Sequence, residues 1–177
     1  MSRTLPEVLR LAALTAAVSC ASLTAGAADS VADEAIRITA VEALVMSSPE
    51  RALPLIGRVL DGDGSDELKT RALFVLGQFG GAEANELLFQ TVESGSQELR
   101  VEALRAIGIA GDDAAMARLR ASFSEFDAPA RMATMEAYMI AGYVEGLVAV
   151  ADTTDDPMMF DQAVNILAAM GEVEVLR

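Results

Sequence analysis

The chain has 177 residues, 53% of them hydrophobic and 5% aromatic, with no tryptophan and a net charge of −14. It is too apolar for disorder and long enough for one hydrophobic core, while its acidity disfavours nucleic acid and anionic membrane surfaces as partners. The absence of histidine removes the usual general base near neutral pH and the commonest metal ligand.

At the N-terminus, Arg3 and Arg10 precede an apolar run from Leu11 to Leu23, which ends in Thr-Ala-Gly-Ala-Ala. This is the layout of a secretory signal. Ala25 and Ala27 take the −3 and −1 positions for cleavage before Ala28, which predicts a signal peptide over 1–27 and a linker over 28–32. A second reading takes Ala17-Val18-Ser19-Cys20 as a lipobox, with a signal over 1–19 and a lipid on Cys20, the only cysteine. The run is too short and too rich in Ser and Thr for a membrane span. The expected location is therefore periplasmic or secreted, or membrane-anchored through Cys20 alone.

From residue 33 the chain repeats. Leu68-Lys69-Thr70-Arg71-Ala72, Leu99-Arg100-Val101-Glu102-Ala103 and Ala130-Arg131-Met132-Ala133-Thr134 align, and the copies close on Gly80, Gly111 and Gly142 at steps of 31 residues. Fifteen positions before each close stand Asp33, Ser65, Ser96, Asp127 and Asp156. All are residues whose side-chain oxygen caps the first turn of a helix, so each is expected to start a helix, here called A. Three apolar columns follow at helical spacing: Ile36, Leu68, Leu99, Ala130, Met159; then Ala40, Ala72, Ala103, Thr134, Ala163; then Leu44, Leu76, Ile107, Tyr138, Leu167. The alanine column marks a close crossing of two helices.

A second helix, B, follows each close, with columns Leu53, Asn85, Met116, Leu147 and Ile56, Leu88, Leu119, Val150. Asn85 interrupts the first column, and Leu87 beside it is the candidate to replace it. Short polar connections such as 61–64 and 93–95 predict antiparallel neighbours. The units fall at 33–64, 65–95, 96–126 and 127–155, with a partial unit over 156–177 that leaves Val173, Val175 and Leu176 without a cover.

The succession of cap, basic residue, alanine and apolar residue in Ser65…Lys69…Ala72…Leu76 and Ser96…Arg100…Ala103…Ile107 resembles the short bacterial type of HEAT repeat, about thirty residues long. Asp33…Arg37…Ala40…Leu44 and Asp127…Arg131…Thr134…Tyr138 follow the same order; the last copy departs at Phe160. The resemblance covers 33–177 and implies an all-α, right-handed solenoid of antiparallel helix pairs, an armadillo-type fold. It further implies that Arg37, Lys69, Arg100 and Arg131 ladder with acidic residues of neighbouring units. Such repeats share packing rather than a task.

No triad, phosphate loop or metal-ligand spacing is present, so a non-enzymatic protein-binding scaffold without a cofactor is the expected function. Stacked pairs are expected to curve with the B helices lining the concave side, where solenoids usually grip a partner. Arg51, Arg58, Glu83, Gln90, Arg118, Arg120, Glu145 and Asp152 point away from the B columns and are the candidate contacts, arginine among apolar neighbours being a hot-spot composition. Asp61, Asp63 and Ser65 alternate as calcium ligands do, but Asp66 stands where the loop needs glycine and Ala72 where it needs a bidentate glutamate. Met132, Met135 and Met139 share a helical spacing, which suits gap filling or an adaptable surface more than copper, with no His, and no Cys beyond the signal segment, to complete a site. Two further readings are self-association through the uncapped C-terminal end and a carboxylate-based hydrolase of an envelope polymer.

Overall fold

The computed structural model describes residues 31–172 and residue 174. The signal segment, Cys20, residues 28–30 of the linker and the Val173, Val175 and Leu176 end lie outside the described residues. Two units divide between Thr39 and Ala40. In the first, residues 31–39 are helical; Arg37 pairs with Glu34 at 3.3 Å and the Thr39 hydroxyl donates to the carbonyl of Ala35 at 2.9 Å.

Residues 31–43 form α1. Asp33 lies inside this helix instead of capping it, since Val31 and Ala32 are already helical and no glycine or proline stands there to stop them. The other four expected caps all work. Ser65 accepts from the Leu68 amide at 3.1 Å and opens α3, Asp66–Phe79; Ser96 accepts from Leu99 at 3.3 Å and opens α5, Gln97–Ala110. Asp127 accepts from Ala130 at 3.0 Å and opens α7, Ala128–Ala141; Asp156 accepts from Met158 at 2.9 Å and opens α9, Pro157–Ala169. The closing glycines Gly80, Gly111 and Gly142 have φ of 61°, 63° and 70°, a region that a Cβ disfavours, which is why glycine recurs there.

The B helices are α2, Pro49–Asp61; α4, Gly81–Ser94; α6, Asp113–Ser122; and α8, Val144–Thr153. The cap on α6 comes from Asp112, whose carboxylate accepts from the Ala115 amide at 2.9 Å. Among the described residues no strand occurs. Helices α3, α5 and α7 lie side by side, α4 packs on α5, and α8 packs on α9.

From Leu68 onward every position of the three A columns is buried, as is every position of the two B columns. Thr134 holds its place by donating to its own helix at the Ala130 carbonyl, 2.8 Å. Asn85 also keeps its core position, at 6% exposure, and Leu87 does not replace it: Leu87 is only half-buried. The first copy departs, with Ile36 65% exposed, Ala40 exposed and Leu44 half-buried.

A close crossing stands at the glycines between the columns. A Cβ placed on Gly77 would lie 2.7 Å from the carbonyl oxygen of Ala106, and one on Gly108 would lie 2.6 Å from the Cα of Ala137. Successive A helices therefore meet backbone to backbone at a glycine–alanine seam, Gly77 on Ala106 and Gly108 on Ala137. Met139 stands in the corresponding position of α7, and α7 and α9 touch only lightly.

The basic column forms only part of the expected ladder. Arg100 donates to the Val92 carbonyl at 2.9 Å and to Asp127 at 3.4 Å, and so ties one unit to the next. Arg131 reaches back to the Ser124 carbonyl at 2.7 Å, whereas Arg37 pairs within its own helix. Further ion pairs of the A row leave from other positions: Arg71 on Glu42 at 3.5 Å and Arg105 on Glu136 at 2.7 Å cross between helices, and Arg105 also holds Glu102 of its own helix at 2.6 Å.

Candidate partner-binding face

Tight packing along the A row leaves space between the B helices, and one cleft opens at each step. The first, about 290 Å³, lies between α2 and α4 and is lined by Gly57, Leu60, Leu87 and Gln90, with Lys69 at its edge. The second, about 230 Å³, lies between α4 and α6 around Asn85, Phe89 and Arg118. The third, about 210 Å³, lies between α6 and α8 around Arg120, Phe123 and Tyr138. Glu145 lines a broader depression of about 530 Å³ with Asp113 and Tyr143.

The eight candidate contacts are all exposed, and four of them line these spaces: Gln90, Arg118, Arg120 and Glu145. Arg51, Arg58, Glu83 and Asp152 lie outside the cleft linings. Two of the four arginines, Arg118 and Arg120, face carboxylates, and the other two contact neutral oxygens. Arg118 lies 3.8 Å above the ring of Phe89 and bonds Glu86 at 3.0 Å and Glu93 at 3.1 Å. Arg120 faces Glu145 at 4.0 Å, Arg51 donates to the Ser48 hydroxyl at 3.4 Å, and Arg58 donates to the Pro54 carbonyl at 3.3 Å.

Residues 56–139, which hold α3 to α6, the C-terminal part of α2 and most of α7, match the family model described as HEAT repeats. These are HEAT-like repeats. The described architecture is accordingly an all-α HEAT-like solenoid, and no curated protein matches the chain.

Two residues of the HEAT-like columns break their own pattern, and both border a cleft. Asn85 replaces the apolar residue found at Leu53, Met116 and Leu147, and its Oδ1 has no hydrogen-bond partner. Tyr138 replaces Leu76, Ile107 and Leu167; it is fully buried and its hydroxyl is likewise unpartnered. An unsatisfied buried polar group costs about 1–3 kcal/mol. Burial, reinforced by the neighbouring Tyr143, pushes the Tyr138 phenol well above its ordinary range, while Arg120 opposes the shift. The hydroxyl therefore stays protonated. Gly146 admits this arrangement, since a Cβ there would meet Tyr143 at 2.7 Å and Tyr138 at 2.8 Å. Reading the columns for apolar residues flagged Asn85 as an interruption, and the missing partner is visible only in three dimensions.

Exposed apolar side chains concentrate on the A helices of the HEAT-like array. Phe74 on α3, Ile109 on α5, Met139 and Ile140 on α7, and Met158 and Phe160 on α9 are all exposed, against Leu55 alone on the B helices. This outer A surface was not singled out by the sequence, because columns written for the core say nothing about the positions between them. Met132 is half-buried, Met135 buried and Met139 exposed, so the three methionines do not form one surface. The acidic segment serves as a helix end and a cap, with Asp61 closing α2 and Ser65 opening α3. Among the described residues no group of three or more Asp, Glu, His and Cys side chains is placed to hold a metal.

Proposed function

We propose that this protein is a non-enzymatic interaction scaffold or adaptor of the bacterial cell envelope, and that it grips a partner protein through its B-helix face. The observation that carries the reading is the row of clefts between α2, α4, α6 and α8, held apart by an A row packed backbone to backbone. HEAT-type arrays commonly present such a stepped surface to other proteins. The hydrolase reading lacks a comparable support: Glu136 and Glu102 hold Arg105, and Asp112 and Asp127 cap helices.

Photo-crosslinking amino acids placed at Gln90 and at Arg120 test the face in living cells. Capture of a discrete partner from both positions, and not from Glu67 on α3, is the expected result. Equal capture from Glu67, or none from the B face, removes the assignment. Envelope residence is read separately from the mature N-terminus by mass spectrometry: a start at Ala28 or a lipidated Cys20 supports export, and an intact Met1 refutes it.

A second reading, self-association through the C-terminal end, draws on Met158 at 66% exposure and Phe160 at 46% on the last A helix. Exposed apolar surface of this kind invites a second copy. Light scattering that shows a monomer at high concentration eliminates it.

A further inference from the structure

The cleft between α4 and α6 has a composition that general scaffold use does not explain. Its floor carries Asn85, nine-tenths buried, whose Oδ1 has no donor, in a column where the other three units place Leu53, Met116 and Leu147. Its walls carry two carboxylates. Asp112 spends Oδ1 on the Ala115 amide and Glu86 spends Oε2 on Arg118, which leaves each with a second oxygen. The one cation lining it, Arg118, is committed to Glu86, Glu93 and the face of Phe89, so the cleft offers acceptors and an excess of negative charge. Three acceptors match the three N–H groups of a compact ammonium. A guanidinium fits less well, because its planar fork prefers both oxygens of one carboxylate and Asp112 and Glu86 each have one oxygen already committed.

We propose that this cleft is a subsite for a lysine side chain of a basic partner protein, with Asn85 Oδ1, Asp112 and Glu86 receiving the ammonium. The proposal rests on the scaffold reading and names the chemistry of the partner at one of its clefts. The acidity of the whole chain, net −14, draws such a partner in, and Asn85 is the residue that gives the cleft its preference. A polar residue kept at a core position against its own stability is expected where it serves recognition.

The test is a nuclear magnetic resonance titration of the full mature chain, at fixed ionic strength, with a capped Gly-Lys-Ser-Ser-Lys-Gly peptide and with its norleucine and arginine counterparts. The expected result is a shift of the Asn85 side-chain amide by the lysine peptide, binding at least tenfold weaker for norleucine and several-fold weaker for arginine. Asn85→Leu restores the apolar column, so its melting temperature rises while lysine-peptide affinity falls tenfold or more; Asn85→Asp shifts both in the opposite direction. Unchanged lysine binding by Asn85→Leu, or equal binding of the three peptides, overturns the assignment. If no lysine peptide binds while crosslinking from Gln90 and Arg120 still captures a partner, this inference alone fails; if that capture fails too, the scaffold reading falls with it.

Discussion

Replacing Gly108 with alanine sets two effects of known size against each other. Alanine in a helix interior is worth about 1 kcal/mol over glycine. The new Cβ would stand 2.6 Å from the Cα, 2.8 Å from the carbonyl oxygen and 3.0 Å from the Cβ of Ala137. All three atoms belong to the backbone of α7 or its first side-chain carbon, so no rotamer change relieves the contact and α7 has to retreat by nearly an ångström. Overpacking of this kind costs about 1–3 kcal/mol, and the retreat also weakens dispersion across the neighbouring columns. The net expectation is a loss of about 1–2 kcal/mol. Gly57 on α2 provides the control, since its Cβ would meet only Leu87 Cδ2 at 3.6 Å, an ordinary contact. Gly57→Ala should therefore gain about 1 kcal/mol, and the two variants should melt about 5–10 °C apart. Urea and thermal unfolding followed by circular dichroism measure the difference. A Gly108→Ala variant as stable as Gly57→Ala would show that the A helices do not meet at a backbone seam.

Alkaline pH probes Tyr138: the unfolded phenol ionises near its ordinary value of about 10, whereas burial holds the folded one protonated well above it. The unfolded state then binds fewer protons, so stability falls as pH rises above about 10, by up to about 1.4 kcal/mol per pH unit. Tyr138→Phe should remove that slope in urea midpoints and should be no less stable than the parent at neutral pH. Asp127→Ala loses both a cap and the Arg100 partner, about 1–2 kcal/mol in all, while Asp127→Asn keeps the cap and loses about half a kilocalorie per mole or less. Equal losses would mean that the ion pair, and not the cap, carries the site. Arg105→Met removes the bonds to Glu102 and Glu136, half-exposed pairs worth about 0.2–1 kcal/mol each, and its cost should shrink in 1 M salt, a concentration at which the screening length is only about 3 Å. A cost independent of salt would assign the effect to the arginine's packing.

The sequence by itself determined the helices and their pairing. Caps at Ser65, Ser96, Asp127 and Asp156 and glycines at Gly80, Gly111 and Gly142 act within a few residues of the chain, and such local rules hold wherever the neighbours happen to lie. Column spacing likewise settled which residues from Leu68 onward face inward, because a helix turns its side chains by a constant angle. Only the tertiary structure decided how closely the helices meet. The Gly77–Ala106 and Gly108–Ala137 contacts, the Arg105–Glu136 ion pair and the clefts depend on the relative height and spacing of helices some thirty residues apart, which no periodicity encodes. The same is true of the candidate site. The sequence marked Arg118 as a free contact and Asn85 as a flaw, and the fold reverses these values: it places Arg118 between two glutamates and leaves Asn85 buried with an unanswered oxygen, because burial and pairing are properties of the assembled array.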